Sequence, residues 1–227
     1  MNVSPRVQAT ERLRQHLDQF DWSGQTPGRR NILQAFLALA TTKGYAAVTM
    51  RTLGKEVELK APSLYAHFPG GREEIVAESL RWHYHRFGTS VLQAVDGTRD
   101  AGEFLDAIVR VHVEAQLTTP ENNLWDILVA TDAAAGFLPS DVRADVDEWL
   151  RLYAGMFEAA AFELGFENVA TNLRVISTIL DGARNWCGWN GNADTLETCV
   201  NQGVLITRSL LSMSLVSSKV TNAASQA

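Results

Sequence analysis

Residues 49–68, TMRTLGKEVELKAPSLYAHF, read as two short helices joined by a turn, the second ending on SLYAHF. Thr49 is a good N-cap, because its hydroxyl accepts from a backbone N–H that the first helical turn leaves without a partner. Leu53 and Val57 follow four apart on one face. After Glu58 and Leu59 the chain must turn, and Pro62 suits the first turn of a new helix, where its missing N–H costs nothing. Leu64 and Phe68 then form an apolar pair at i and i+4, which directs Ala61, Pro62, Ser63, Tyr65 and His67 outward. Small residues at the start of this second helix let its backbone approach a groove closely, and Pro69, Gly70 and Gly71 end it. Two helices arranged this way have the shape of a DNA-reading element.

Working outward, Asn31 to Lys43 (NILQAFLALATTK) places Ile32, Leu33, Phe36, Leu37 and Ala40 on one helical face, and Gly44 supplies a C-terminal stop before Tyr45. The order helix, GY, T.R helix, PSLY.HF helix, from Arg29 to Ile75, resembles the DNA-binding domain of the tetracycline-repressor (TetR/AcrR) family of bacterial regulators. The resemblance implies an all-α chain, with an N-terminal three-helix helix-turn-helix domain followed by a larger helical ligand-binding and dimerisation domain. It implies phosphate contacts from Thr49 and Arg51, and phosphate and base contacts from Tyr65 and His67. Lys60 sits where it can reach the DNA backbone before the reading helix. Ala61, Pro62 and Ser63 lie at the end expected in the major groove, where Ser63 can bond a base edge or phosphate and the apolar pair can touch a thymine methyl. The bland alternative for Tyr65 is packing against the first helix. The chain departs from the family twice. Where the family's turn offers a glycine this chain has Glu58, so either a non-glycine residue takes the left-handed conformation or the turn differs. The PGGR linker is one residue longer than usual, and Arg72 takes the basic role of the family's Ser-Lys or Asn-Lys pair there.

The formal charge of −6 looks wrong for a DNA binder until it is divided. Residues 1–95 hold 12 Lys and Arg against 8 Asp and Glu, while residues 96–227 hold 8 against 18. The basic part coincides with the helix-turn-helix, which implies salt-sensitive binding through Arg29, Arg30, Arg51, Lys55, Lys60 and Arg72. No apolar run reaches the roughly 20 residues of a membrane span, and MNVSPRVQAT lacks the apolar centre of a signal peptide, so the expected place is the cytoplasm. Cys187 and Cys199 are too few for a disulfide framework and have no matching histidines for zinc. They read as buried reduced thiols, with a redox sensor as the alternative. His83 and His85 are two apart on a helix and cannot share a metal. No cofactor or metal is expected.

The length of 227 residues suits a small head and a larger body. The expected division is an N-terminal extension (1–28), the helix-turn-helix domain (29–75), a helical effector-binding and dimerisation domain (76–216) and a flexible tail (217–227). Within the extension, VQATERLRQHLDQF reads as an amphipathic helix. Body helices are expected at 72–95, 101–118, 122–135, 140–164, 168–189 and 194–216, the first linking head to body. Phe104, His112, Trp125, Trp149, Tyr153 and Phe157, with Phe137, Met156 and Asp132, are candidates to line an effector cavity; the competing reading is ordinary core. The last two helices are expected to form the homodimer, with Gly182 and Ala183 permitting close approach and Cys199, Gly203, Ile206 and Leu210 forming a stripe. An isologous dimer would match a palindromic operator on double-stranded DNA.

The leading expectation is a ligand-responsive regulator, a repressor released from its operator by a small lipophilic or aromatic effector. The alternatives are an activator or a protein-responsive regulator of the same fold. A third is a small-molecule binding or catalytic module with a vestigial head. No GxSxG, HExxH, GxGxxG or P-loop pattern is present, so the chain is not read as an enzyme.

Overall fold

The computed structural model describes residues 3–20, 22, 24–136 and 138–224, with side chains described except at 123, 127, 133–135 and 214–224. Among the described residues the secondary structure is helical throughout. In chain order the helices are α1 (Pro5–Leu17), α2 (Pro27–Lys43), α3 (Met50–Glu56), α4 (Ala61–His67), α5 (Gly71–Val95) and α6 (Ala101–Thr118). They continue with α7 (Pro120–Ala135), α8 (Ser140–Glu163), α9 (Ala170–Asp181), α10 (Ala183–Trp186) and α11 (Ala193–Ala224). A 3-10 turn, Tyr45–Ala47, joins α2 to α3. The all-α class expected from the sequence is the class observed.

The helices pack as two compact units, Leu17–Phe87 with Pro120–Trp149, and Met1–His16 with Gly88–Thr119 and Leu150–Ala227. In the first, Ile32, Leu33 and Phe36 of α2 are fully buried together with Leu53, Leu64, Phe68, Ile75 and Leu80. Phe36 stacks on Trp125 at a centroid distance of 6.4 Å, and Tyr84 lies 4.6 Å from Trp149. Arg81 on α5 reaches Asp141 (2.9 Å) and Asp145 (2.7 Å) on the first turns of α8, where acidic side chains also suit the helix dipole. The turn between α7 and α8 is built on Asp132, which accepts from the Leu138 N–H (2.6 Å) and from Arg143 Nε (2.7 Å). Asp132, a cavity candidate in the sequence, is therefore a turn-forming residue.

In the second unit α6 is the centre, packed by α9, α10 and α11. Gly203 is buried, and a Cβ there would meet Val113 Cγ2 at 2.8 Å, so glycine is what lets α11 come this close to α6. Arg184 on α10 donates to the carbonyls of Gln116 and Leu117, which the end of α6 leaves without helical donors. The helix expected within the extension is α1, where Leu13 is fully buried and Arg6 pairs with Glu163.

Three features differ from the sequence reading. The helix expected over 168–189 is two, α9 and α10, with Gly182 at the break. The stripe on the last helix turns inward, since Cys199 and Gly203 are buried within the chain's own fold and Ile206 and Leu210 are half-buried. And α11 continues past Ser217 to Ala224, because extending a helix already formed needs no new nucleus even where the residues are small and polar.

Two measurements check this account. Gly54→Ala, whose Cβ would lie 2.7 Å from the Leu59 carbonyl oxygen, is expected to lower stability by about 1–3 kcal/mol in urea denaturation. His83, set against Trp125 and Tyr84, has its pKa lowered to about 3 by burial and by the Arg86 charge. The unfolded chain therefore takes up a proton first. The His83 contribution is fully present above about pH 6.5 and falls towards pH 3 with a limiting slope of about 1.4 kcal/mol per pH unit. Stability measured from pH 7.5 to 4.5 should decline less steeply in His83→Gln; equal slopes would refute the assignment.

Candidate nucleic-acid interface

The α3–turn–α4 segment is built by local chemistry that the sequence announces. Thr49 caps α3, accepting from the Thr52 N–H at 3.1 Å, and the Thr52 hydroxyl accepts from the Thr49 N–H at 2.8 Å, a reciprocal cap. The turn keeps its left-handed residue: Glu58 has φ 54°, so the first of the two alternatives for this position is the one realised. Leu59 N–H then bonds back to the Gly54 carbonyl at 2.8 Å. Pro62 lies in the first turn of α4, and Leu64 and Phe68 are fully buried beneath it.

That burial leaves one side of α4 bare. Ala61, Pro62, Ser63 and Tyr65 are exposed, and Lys60 is the exposed N-cap residue. Tyr65 is 48% exposed, which argues against the packing alternative. Thr49 and Arg51 are exposed at the start of α3. The thirteen residues from Thr49 to Ala61 thus carry candidate phosphate contacts up to the edge of the reading helix. His67 is different. It is half-buried, with its ring against Gly28 at the start of α2.

Two arginines counted in the basic patch are engaged inside the unit. Arg72 donates to the Val48 carbonyl (2.7 Å) and the Tyr45 carbonyl (3.0 Å), and its guanidinium lies 4.2 Å from the Tyr45 ring centroid. Arg29 lies 4.1 Å over the Phe68 ring, donates to the His67 carbonyl, and faces Glu74 (3.5 Å) and Glu78 (3.8 Å). Sequence reasoning missed both roles. Apart from Gln25, which accepts from Arg29 Nε four residues away, the partners are 24 to 49 residues distant, so no local pattern signals them.

The six effector candidates fall in different units. Trp125 and Trp149 belong with the reading helices and pack there against Phe36, Tyr84 and Phe87. Phe104, His112, Tyr153 and Phe157 belong to the other unit. His112 Nδ1 is 2.9 Å from the Tyr153 hydroxyl and its Nε2 is 3.1 Å from Asp181, while Tyr153 also meets Phe157 edge-on at 5.4 Å. Burial, and then the Asp181 charge, pushes the Tyr153 hydroxyl well above its usual pKa, so it stays protonated. A cleft of about 250 Å³ in the same unit is lined by apolar Val7, Leu92, Val95 and Phe104 and by the charged residues Arg6, Glu11, Arg14 and Asp96. Phe137 lies outside the described residues. Among the described residues no cluster of three or more metal-ligating side chains occurs, and no helix is long and apolar enough to cross a membrane.

Comparison with known proteins falls on the same stretch. The family of bacterial regulatory proteins, tetR family, matches residues 32–78. No curated protein matches the chain by sequence. Among solved structures, a bacterial regulatory protein in the tetR family from Rhodococcus RHA1 shares the fold with a TM-score of 0.69 at 14% identity, over 82% of this chain and 98% of that one. The ketosteroid transcriptional regulator KstR2 of Mycobacterium tuberculosis gives 0.67 at 18%, over 82% and 96%. A transcriptional regulator from Saccharomonospora viridis in complex with choline gives 0.65 at 16%, over 79% and 94%. The family match spans the capped α3, the Glu58 turn and the bare side of α4, so residues 32–78 are similar to bacterial regulatory proteins of the tetR family, and the chain shares its fold with solved structures of such regulators.

Proposed function

We propose that the chain is a transcriptional repressor, held as a homodimer on a palindromic operator and released by a small lipophilic or aromatic effector. The observation that carries the DNA reading is the exposure of Lys60, Ala61, Pro62, Ser63 and Tyr65 along one side of a helix whose other side, Leu64 and Phe68, is fully buried. Ser63 reads a base edge. Thr49, Arg51, Lys60 and Tyr65 hold the phosphates and so set the register. His67 and Arg72 act on the same interface, His67 from the far end of α4 and Arg72 by bracing the turn before α3.

The effector reading is supported by the apolar and aromatic side chains of the α6-centred unit. We place the effector against Phe104, His112, Tyr153 and Phe157, and leave out Trp125 and Trp149 because their rings are packed against α2 and α5. The structural neighbour from Saccharomonospora viridis holds choline, which supports reading the body as a small-molecule site. The dimer reading is supported by what α9 and α11 leave uncovered: Val175, Leu205 and Met213 are 43%, 66% and 62% exposed. Large apolar side chains repeated along neighbouring helices are what an isologous helical interface buries.

DNA affinity can be read by fluorescence anisotropy on the chain's own promoter region between 50 and 200 mM salt, a range in which phosphate contacts dominate the salt dependence (about one unit of slope per contact). Arg51→Ala and Lys60→Ala should each weaken binding on all sequences and reduce that slope by about 1. Ser63→Ala should relax preference at one base position at a cost of about 1–3 kcal/mol. No retardation of that DNA by the unmodified chain at low salt would sink the proposal. For the dimer, Leu205→Glu is expected to convert the sedimenting species to monomer, and an unchanged dimer would move the interface elsewhere. Deleting the gene should raise the neighbouring transcripts; a fall would make the chain an activator.

A further inference from the structure

The chain's two cysteines come together in space. Cys187 follows α10 directly, with its N–H bonded to the Ala183 carbonyl at 3.1 Å, and Arg184 pins that short helix to the end of α6. Cys199 lies in the second turn of α11 and is 1% exposed. Its thiol donates to the Cys187 carbonyl at 3.2 Å, which brings the two residues side by side. The connector between them turns at Gly188 (φ 69°) and Gly191 (φ 94°), positions where a side chain would be strained and glycine is not.

The two sulfurs have unequal surroundings. Cys187 is half-buried and Cys199 is buried, so an oxidant in solution meets Cys187 first. Burial, and then the neighbouring Cys187 thiol, pushes the Cys199 thiol up to about 11, which keeps it protonated and inert towards solvent oxidants at neutral pH. An accessible cysteine beside a protected one is the arrangement in which the first is oxidised and the second resolves it. Among the described residues no third metal-ligating side chain completes a cluster with them.

We propose that Cys187 and Cys199 form a thiol–disulfide switch that closes on exposure to a peroxide. The Cys187 sulfur attacks the peroxide; its O–O bond breaks, the sulfur keeps one oxygen as a sulfenic acid, and the other leaves as water. The Cys199 sulfur then attacks the Cys187 sulfur, an S–S bond forms, and the sulfenic oxygen leaves with the thiol proton as a second water. In sum two thiols are oxidised by two electrons and one hydrogen peroxide is reduced to two waters. The bond ties the end of α10 to α11 one turn before Gly203, the residue that sets the α6–α11 approach. Oxidation is thereby coupled to the packing of the helix whose outer side is proposed for the dimer. The chemistry itself does not depend on DNA binding.

The test treats the full reduced chain with one equivalent of hydrogen peroxide and reads intact mass, free thiols and a non-reducing gel, none of which involves DNA. The expected result is joint loss of both thiols, a mass lower by about 2 Da for the two hydrogens removed, a single-chain band, and reversal by dithiothreitol. In Cys199→Ala, peroxide should stop at a Cys187 sulfenic acid that dimedone traps. In Cys187→Ser, Cys199 should stay a free thiol. A product that gains oxygen without a cross-link, a disulfide between chains, or two thiols surviving the treatment would each overturn the proposal. If Cys199→Ala loses its far-UV helical signal, proteolytic mapping of the 187–199 cross-link in the unmodified chain decides the question instead.

Discussion

The frame of the reading helix depends on one cation, the guanidinium of Arg29. It lies over the Phe68 ring at 4.1 Å, gives a hydrogen bond to the His67 carbonyl at the end of α4, and faces Glu74 and Glu78 on α5. Seven residues of α4 are too few to hold a helix in water unaided, since nucleation costs more than so short a ladder returns. Arg29 supplies what the helix lacks: a donor for an end carbonyl, a face for its buried ring and an electrostatic link to the next helix. Arg72 acts in the same way on the other side of the motif, joining the start of α5 to the carbonyls of Tyr45 and Val48 before α3. Two of the cations that a count assigns to DNA are thus internal struts. Of the cations counted in the basic patch, Arg30, Arg51, Lys55 and Lys60 are exposed.

The glycines and the one left-handed glutamate make sense in the same terms. Gly54 has no room for a Cβ because the turn folds back onto α3, with the Leu59 N–H bonded to the Gly54 carbonyl. Closing that turn demands a left-handed residue, and Glu58 bears it at a cost of about 1 kcal/mol relative to glycine. The cost is tolerated because Leu53 on one side and Leu64 on the other are almost wholly buried and fix both ends of the turn. A tight reading element is therefore retained despite a residue that does not favour it.

Helix positions were legible in the sequence wherever a cap or a breaker marks them. Asp100 caps α6 through the N–H groups of Gly102 and Glu103, and that helix has the expected bounds, 101–118. Where periodicity had to decide more than helix or not, it fell short. Cys199 and Gly203 do share a face, but both are buried within the chain's own fold, Gly203 against Val113 of α6. The candidate DNA contacts on α4 were legible because Leu64 and Phe68 fix which side is buried, leaving Ala61, Pro62, Ser63 and Tyr65 on the other. The aromatic candidates were not, since Trp125 and Phe104 read alike along the chain and belong to different units in space.

The sequence by itself determined the all-α class, the caps and breaks of most helices, and the helix-turn-helix with its bare side, because each of these follows from interactions within about four residues. Only the tertiary structure decided which cations serve as struts, which stripe of α11 faces inward, where the extension packs and that Cys187 meets Cys199. Those outcomes depend on which surfaces of distant segments come together. A sequence pattern carries a residue's face and chemistry, but the identity of its neighbour across the core is set by the packing of the whole chain.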